Sequence, residues 1–234
     1  MQIKDSVVFV TGANRGLGLA FAKAALAAGA RKVYAAARDP ASITLAGVHP
    51  VKLDVTDAAQ AEAAARACGD VTLLINNAGI SRGATLLGAD AIEAARAELE
   101  TNLFGPWLLA RAFAPVLAAN GGGAIVNVLS ALAWVTFPGV ATYSVSKSAT
   151  WSLSNGLRNE LRAQGTQVTS LHVGYMDTDM THGLEAEKSA PADVARVTLE
   201  GVEAGLFEVL ADEPSRQIKA SLSSAAPAYA AVPG

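Results

Sequence analysis

The chain is poor in cysteine, histidine and charge. Its single cysteine, Cys68, excludes an intramolecular disulfide and leaves no basis for a cysteine-built zinc cluster. The three histidines, His49, His172 and His182, stand without metal-ligand spacing, so metal catalysis is not expected. Charged residues make up 17% and the formal net charge is −3. With a pI near 5.6, the chain lacks the basic footprint of a nucleic-acid or membrane-surface binder. No run approaches the roughly 18 to 20 apolar residues that span a bilayer. The early apolar run Val7–Val10 is too short for a signal h-region, and the expected address is the cytoplasm.

What remains is the composition of a folded globular protein, 51% hydrophobic over 234 residues. That length suits one large domain with a substantial core. Short apolar runs alternate with longer alanine-rich segments. The runs Val7–Val10, Lys32–Ala36, His49–Leu53, Leu73–Asn76, Ala124–Val128, Val168–His172 and Phe207–Leu210 read as strands. Leu17–Ala28, Ala58–Ala67, Ala89–Leu117 and Thr142–Ala163 read as helices between them. Buried strands separated by helices predict an α/β fold: a single-domain, Rossmann-type, doubly wound parallel sheet with helices on both faces. Ligands are then expected at the carboxyl ends of the strands. Residues 1–220 form this one domain in the reading. The stretch 221–234, rich in Ala, Ser and Pro, is expected to be a flexible tail unless a partner surface orders it.

After the first strand comes Thr11-Gly12-Ala13-Asn14-Arg15-Gly16-Leu17-Gly18, opening a helix. Glycines here permit a tight turn and let backbone N–H groups approach a pyrophosphate, which the helix dipole also attracts. The Gly-x3-Gly-x-Gly spacing departs from the commoner dinucleotide fingerprint, and helix entry alone also calls for glycine. The second strand ends in Ala35-Ala36-Ala37-Arg38, where an acidic residue would hold a ribose 2′-hydroxyl. Arg38 instead offers a fork to a 2′-phosphate, with Arg15 placed to approach the same group. Two such cations favour NADP(H) over NAD(H); the alternative is that both are solvated surface residues.

Farther along stand Leu53-Asp54-Val55-Thr56, Asn76-Asn77-Ala78-Gly79, Asn102, Ser130 and Tyr143-Ser-Val-Ser-Lys147. In this order and spacing, and with the glycine loop, they resemble the short-chain dehydrogenase/reductase family from about Val7 to Asp179, in its NADP(H)-preferring branch. The glycine loop is similar to the family's Thr-Gly-x3-Gly-x-Gly. Leu53–Thr56 resembles the segment in which the acidic residue contacts adenine, and Asn76–Gly79 resembles the motif that lines the cofactor cleft. Asn102, Ser130, Tyr143 and Lys147 match the four catalytic positions, the last two as Tyr-x3-Lys. The resemblance implies cofactor contacts from Gly12, Asn14, Arg15, Gly16, Leu17, Gly18, Arg38, Asp54, Val55, Asn76, Ala78, Gly79, Tyr143, Lys147, Gly174 and Thr178. It departs at Val173, where the family carries proline before Gly174. It departs again in the short run Asp179–Ala190, which implies a small lid over an open substrate site, and in the absence of a glycine-rich ending.

The implied reaction interconverts a ketone or aldehyde and an alcohol. Tyr143 protonates or deprotonates the oxygen, and Ser130 hydrogen-bonds it. Lys147 binds the nicotinamide ribose and lowers the tyrosine pKa, and Asn102 holds a relay water. Four residues apart on a helix, Tyr143 and Lys147 share a face. The stripe Val145, Ala149, Leu153, Leu157 and Leu161 is expected to face the core. Singly, each of the four has an ordinary structural use, serine as a cap and tyrosine as packing. For the substrate pocket, Ser81, Trp134, Phe137, Tyr175 and Met180 are the candidates, with Arg82, Met176 and His182 nearby, and suggest an apolar or aromatic small molecule. Trp134 and Phe137 could instead enter the core or a subunit surface. Alternative readings are a non-catalytic NADP(H) sensor or scaffold on the same fold, and an epimerase or dehydratase, which commonly has a longer C-terminal substrate region. A homodimer is expected, with a tetramer as the alternative, through the helices containing Leu99–Leu117 and Val145–Leu161.

Overall fold

The computed structural model describes residues 1–230, so the last four residues of the expected tail lie outside the described residues. Seven strands form one parallel sheet: β1 (Val7–Thr11), β2 (Lys32–Ala37), β3 (His49–Lys52), β4 (Leu73–Asn76), β5 (Ala124–Val128), β6 (Gln167–His172) and β7 (Glu208–Leu210). Their order is β3-β2-β1-β4-β5-β6-β7. The chain therefore leaves β1 to one side for two strands and returns to its other side with β4. That reversal opens a crevice at the carboxyl ends of β1 and β4, where a doubly wound sheet binds its ligand.

Alternation along each strand sorts side chains to two cores. Val8 and Val10 of β1, with Leu73 and Ile75 of β4, pack against α1 (Gly16–Ala27) and α6 (Pro191–Glu203). Val7, Phe9 and Leu74 face α2 (Ala58–Ala67), α4 (Gly105–Ala119) and the end of α5 (Ala141–Glu160). Phe9 and Phe113 meet with ring centroids 4.9 Å apart. Each fully buried side chain of this size contributes about 1.5–3 kcal/mol, so the two layers dominate the fold's stability.

The helical pattern Ala89–Leu117 is interrupted in the structure. It divides into α3 (Ala91–Leu99), a single π turn (Glu100–Phe104) and α4. Pro106, in the first turn of α4, lacks the N–H that a continuous α-helix would use. Gly105 lies against Val55, where a Cβ would come 3.0 Å from Val55 Cγ2. Beyond β7 lies a further helix, α7 (Glu213–Ser221), short and polar and not among the expected helices. Its start is signalled by Asp212, whose carboxylate accepts from Ser215 N–H, and by a proline in its first turn. A short 3₁₀ turn, Ala228–Ala230, follows. Among the described residues, no helix is long and apolar enough to cross a membrane, and no three His, Cys, Asp or Glu side chains gather to hold a metal ion.

Candidate active site

The glycine loop runs from the end of β1 into α1. Gly12 and Gly16 have φ of +63° and +52°, a left-handed backbone that side chains disfavour. Gly18 is required for another reason: a Cβ there would collide with the Gly12 carbonyl and come 2.6 Å from Asn77 Nδ2. Among the described residues no side chain caps the N-terminus of α1, and its first turn holds no acidic residue. Backbone N–H groups at the positive end of the dipole are thus left for an anion. Leu17 places its side chain in the core and only its backbone in the loop, while Asn14 is half-buried there.

Thr11 and Asn77 hold this loop to the next strand. Thr11 Oγ1 accepts from the N–H groups of Asn77 and Ala78, both at 2.9 Å, and Asn77 Nδ2 donates to the Thr11 carbonyl at 2.8 Å. Neither residue was expected in the site itself, although both stand inside the recognised motifs. Asn76 is buried and donates to Asn127 Oδ1 at 2.8 Å, tying β4 to β5. Gly79 lets Asn102 and Lys147 close in, since a Cβ there would lie 3.2 Å from Asn102 Oδ1 and 3.7 Å from Lys147 Nζ. Asp54 turns its carboxylate back onto Thr56 N–H and Oγ1, and Val55 is buried under α4. Thr178 lies beside the loop, its Cγ2 3.5 Å from where a Gly16 Cβ would be. Gly174 donates its N–H to Asp212 at 2.6 Å.

The two arginines part company. Arg15 pairs with Asp179 at 2.7 Å, across the mouth of the loop, rather than standing free beside Arg38. Arg38 is exposed just beyond β2 and has no ion pair among the described residues.

Tyr143 and Lys147 lie one turn apart on α5, with Lys147 Nζ 5.5 Å from the centre of the tyrosine ring. The lysine is buried, and its ammonium donates to the Val128 carbonyl at 2.8 Å, at the end of β5. Burial lowers its pKa to about 8. For Tyr143 the expected lowering is reversed. Burial pushes the phenol above its usual range, and the nearby carboxylate of Glu98 pushes it the same way. Glu98, itself wholly buried on α3, accepts from Arg82 N–H at 2.7 Å; nothing in its spacing announced this position.

Asn102 sits in the π turn with its side chain committed. It exchanges two hydrogen bonds with the backbone of Ile80, each 2.9 Å, and donates to Ser146 Oγ at 2.9 Å. Ser146 in turn donates to the Tyr143 carbonyl at 2.7 Å. The Asn102 carbonyl accepts from Thr150 Oγ1 at 2.8 Å. The expected apolar stripe holds in the second half of α5, where Leu153, Leu157 and Leu161 meet the core, while the first half buries small hydroxyls, Ser146, Thr150 and Ser154. Val145, at the head of that stripe, is 45% exposed. Thr150 and Ser154 satisfy their hydroxyls on carbonyls one turn back, which makes their burial tolerable.

Ser130 follows β5 and is buried. Its Oγ accepts from Leu132 N–H at 3.1 Å, capping a short 3₁₀ turn, and donates to the Val173 carbonyl over a long 3.3 Å. Trp134, expected on the pocket wall, is buried behind this turn instead. It stacks on His172 and meets Trp151 edge-on, because an indole finds more apolar contact there than at the mouth. Phe137, Tyr175 and Met180 are exposed, at 42%, 42% and 54%, and Ser81 is half-buried. The segment after Gly174 folds into a small closed loop, with Ser189 donating to the Tyr175 carbonyl and accepting from Asp177.

Residues 6–189 match the family model described as short chain dehydrogenase, and the chain belongs to that family. A short chain dehydrogenase from Burkholderia cenocepacia J2315, crystallised in complex with NADP, superposes with a TM-score of 0.92 at 41% identity, covering 96% of this chain and 95% of that one. The short chain dehydrogenase tazN of Aspergillus terreus is 36% identical over 80% of this chain, a match that spans 44% of the relative's length. The 1-deoxy-11-beta-hydroxypentalenate dehydrogenase of Streptomyces exfoliatus is 33% identical, over 91% of this chain and 82% of the relative.

Proposed function

We propose that this chain is an NADP(H)-dependent oxidoreductase that interconverts a ketone or aldehyde and an alcohol, with Tyr143 as general acid or base. The observation that carries the reading is the pair of half-buried Tyr143 and buried Lys147, one turn apart, with the lysine against Gly79 and the carboxyl end of β5. The bare α1 terminus and the cradle of Gly12, Gly16 and Gly18 fit a pyrophosphate. Arg38 is free to meet a 2′-phosphate, and the Burkholderia relative holds NADP. When bound, the cofactor supplies or accepts hydride.

The protein's own groups then handle the proton. A phenol held above its usual range stays protonated at neutral pH, so Tyr143 is set to donate to a carbonyl oxygen, the reductive direction. Lys147, still largely charged at pH 7, places a cation beside the ring and stabilises the phenolate left after transfer. The Ser130 hydroxyl gives up only a long bond to Val173 when it turns to the substrate oxygen. Asn102 contributes by holding the Ile80 backbone against α5, and any relay water would use its carbonyl rather than its side chain. The exposed Phe137, Tyr175 and Met180 suit an apolar substrate.

Loss of NADPH absorbance with a panel of ketones and aldehydes, repeated with NADH, tests this reading. Turnover with an NADPH preference is expected. Tyr143→Phe should lose at least about two orders of magnitude in rate while still binding NADPH. NADPH binding without turnover on any substrate would favour the sensor reading.

A homodimer is supported by exposed apolar groups on α5 and on α4 with the π turn before it. Phe104 and Trp107 stack with ring planes 5° apart, and they and Val145 are all more than 40% exposed. Size-exclusion chromatography with light scattering reads the mass directly; a monomer would reject the assignment.

A further inference from the structure

His172 ends β6, is completely buried, and has no part in the chemistry above. Its Nδ1 lies 3.2 Å from the Ser130 carbonyl oxygen. A carbonyl only accepts, so the imidazole must carry its proton on Nδ1. The Trp134 indole covers the ring, with centroids 3.8 Å apart and planes 15° from parallel. On the other side Nε2 is buried with no hydrogen-bond partner among the described residues, and Glu208 Oε1 is 3.8 Å away, too far for a hydrogen bond.

Glu208 is occupied elsewhere. Trp151 Nε1 donates to it at 3.2 Å, and Lys219 of α7 pairs with it at 2.8 Å. Lys219 also stands 4.8 Å from the Trp134 ring and 5.5 Å from that of Trp151. Burial holds the His172 pKa down to about 4, with Lys219 and Lys147 acting the same way against the Ser130 carbonyl and Glu208. The ring is therefore neutral across the working range, with one N–H, and that N–H is aimed at Ser130.

Ser130 has an extended backbone, φ −154° and ψ 160°, and its carbonyl also accepts from Ala133 N–H. We infer that His172 is a positioning residue for Ser130: clamped under Trp134, its imidazole N–H sets the peptide that carries the catalytic hydroxyl, and the Lys219–Glu208 pair ties that support to α7. The inference rests on the role proposed for Ser130. A small misplacement of such a hydroxyl costs rate rather than cofactor affinity.

Two variants separate the hydrogen bond from the packing. His172→Asn keeps an amide N–H near the position of Nδ1 and gives up the stack; His172→Phe keeps the stack and gives up the donor. Expected is a kcat loss of about tenfold or more for His172→Phe, with NADPH Kd and carbonyl KM within about twofold, and recovery of most of that loss by His172→Asn. The reverse order, or losses that simply follow Tm in both, overturns the inference. Ser130→Ala belongs in the same panel. If it is inactive while His172→Phe is fully active, only the inference falls; if Ser130→Ala is fully active, the reading of Ser130 falls with it. Should His172→Phe not fold, ¹⁵N–¹H NMR of imidazole-labelled wild-type protein decides. A neutral His172 with its proton on Nδ1 supports the inference, and a proton on Nε2 alone overturns it.

Discussion

The Lys147 ammonium donates to the Val128 carbonyl at 2.8 Å, so the end of β5 holds the cation that faces the Tyr143 ring. Burial brings the lysine to about 8, and it is charged below that pH and neutral above it. Reductive kcat/KM should therefore fall on the alkaline side of about pH 8. In Lys147→Arg, whose cation keeps its charge, that limb should vanish while the neutral-pH rate drops through misfit. A pH–rate profile checks both; an unchanged limb in the variant would remove Lys147 as its origin.

Acid stability should report on His172. Its pKa is about 6.5 in the unfolded chain and about 4 when folded, so the unfolded state binds more protons between those values. Stability present above pH 6.5 is then lost as pH falls toward 4, by up to about 3 kcal/mol. Urea midpoints across this window should fall steeply for wild type and less for His172→Asn. Equal slopes would reject the assignment.

Asn102→Ala removes the two bonds to Ile80 and the one to Ser146. The half-buried backbone of Ile80 and the buried Ser146 hydroxyl lose their partner, and a loss of about 2–4 kcal/mol is expected, visible as a lower Tm. A side chain whose only task was to hold a water would leave Tm unchanged.

Gly18→Ala would drive a methyl into the Gly12 carbonyl and Asn77. The helix start must back away from the loop, and NADPH Kd should rise by about tenfold or more, with far-UV circular dichroism preserved. Fluorescence titration measures this, and unaltered affinity would argue against the loop as the phosphate cradle.

Arg38→Asp should exchange cofactor preference, raising KM for NADPH by about 10- to 100-fold and leaving NADH nearly unaffected. Arg15→Ala should act more weakly, because Arg15 already pairs with Asp179. Equal effects on the two cofactors would show that Arg38 does not meet the 2′-phosphate.

The seven strands were legible to within a residue or two, because the inner parallel strands, covered on both faces, appear as short unbroken apolar runs; β3, at the exposed edge, does not share that pattern. The π turn was not, since Ala, Leu and Glu around Asn102 have the same helical pattern whether or not the helix slips. α7 escaped for a different reason: it is short and polar, and only Asp212 with the proline behind it marked the start. Within the site, the four-residue spacing of Tyr143 and Lys147 is enough to put both on one helical face. The partners Glu98, Ser146 and His172 come from elements distant in sequence or from positions with no chemical motif, and no local pattern names them.

Sequence alone determined the doubly wound sheet, the glycine loop and the Tyr143–Lys147 pair, because strand alternation, positive-φ turns and helical spacing are local properties. Tertiary structure decided where side chains point and what surrounds them. It turned Trp134 inward onto His172, committed the Asn102 amide to Ile80, and set Tyr143 near the Glu98 carboxylate. Packing and desolvation depend on neighbours brought from across the fold, and these set the protonation and direction of the groups that the sequence could only name.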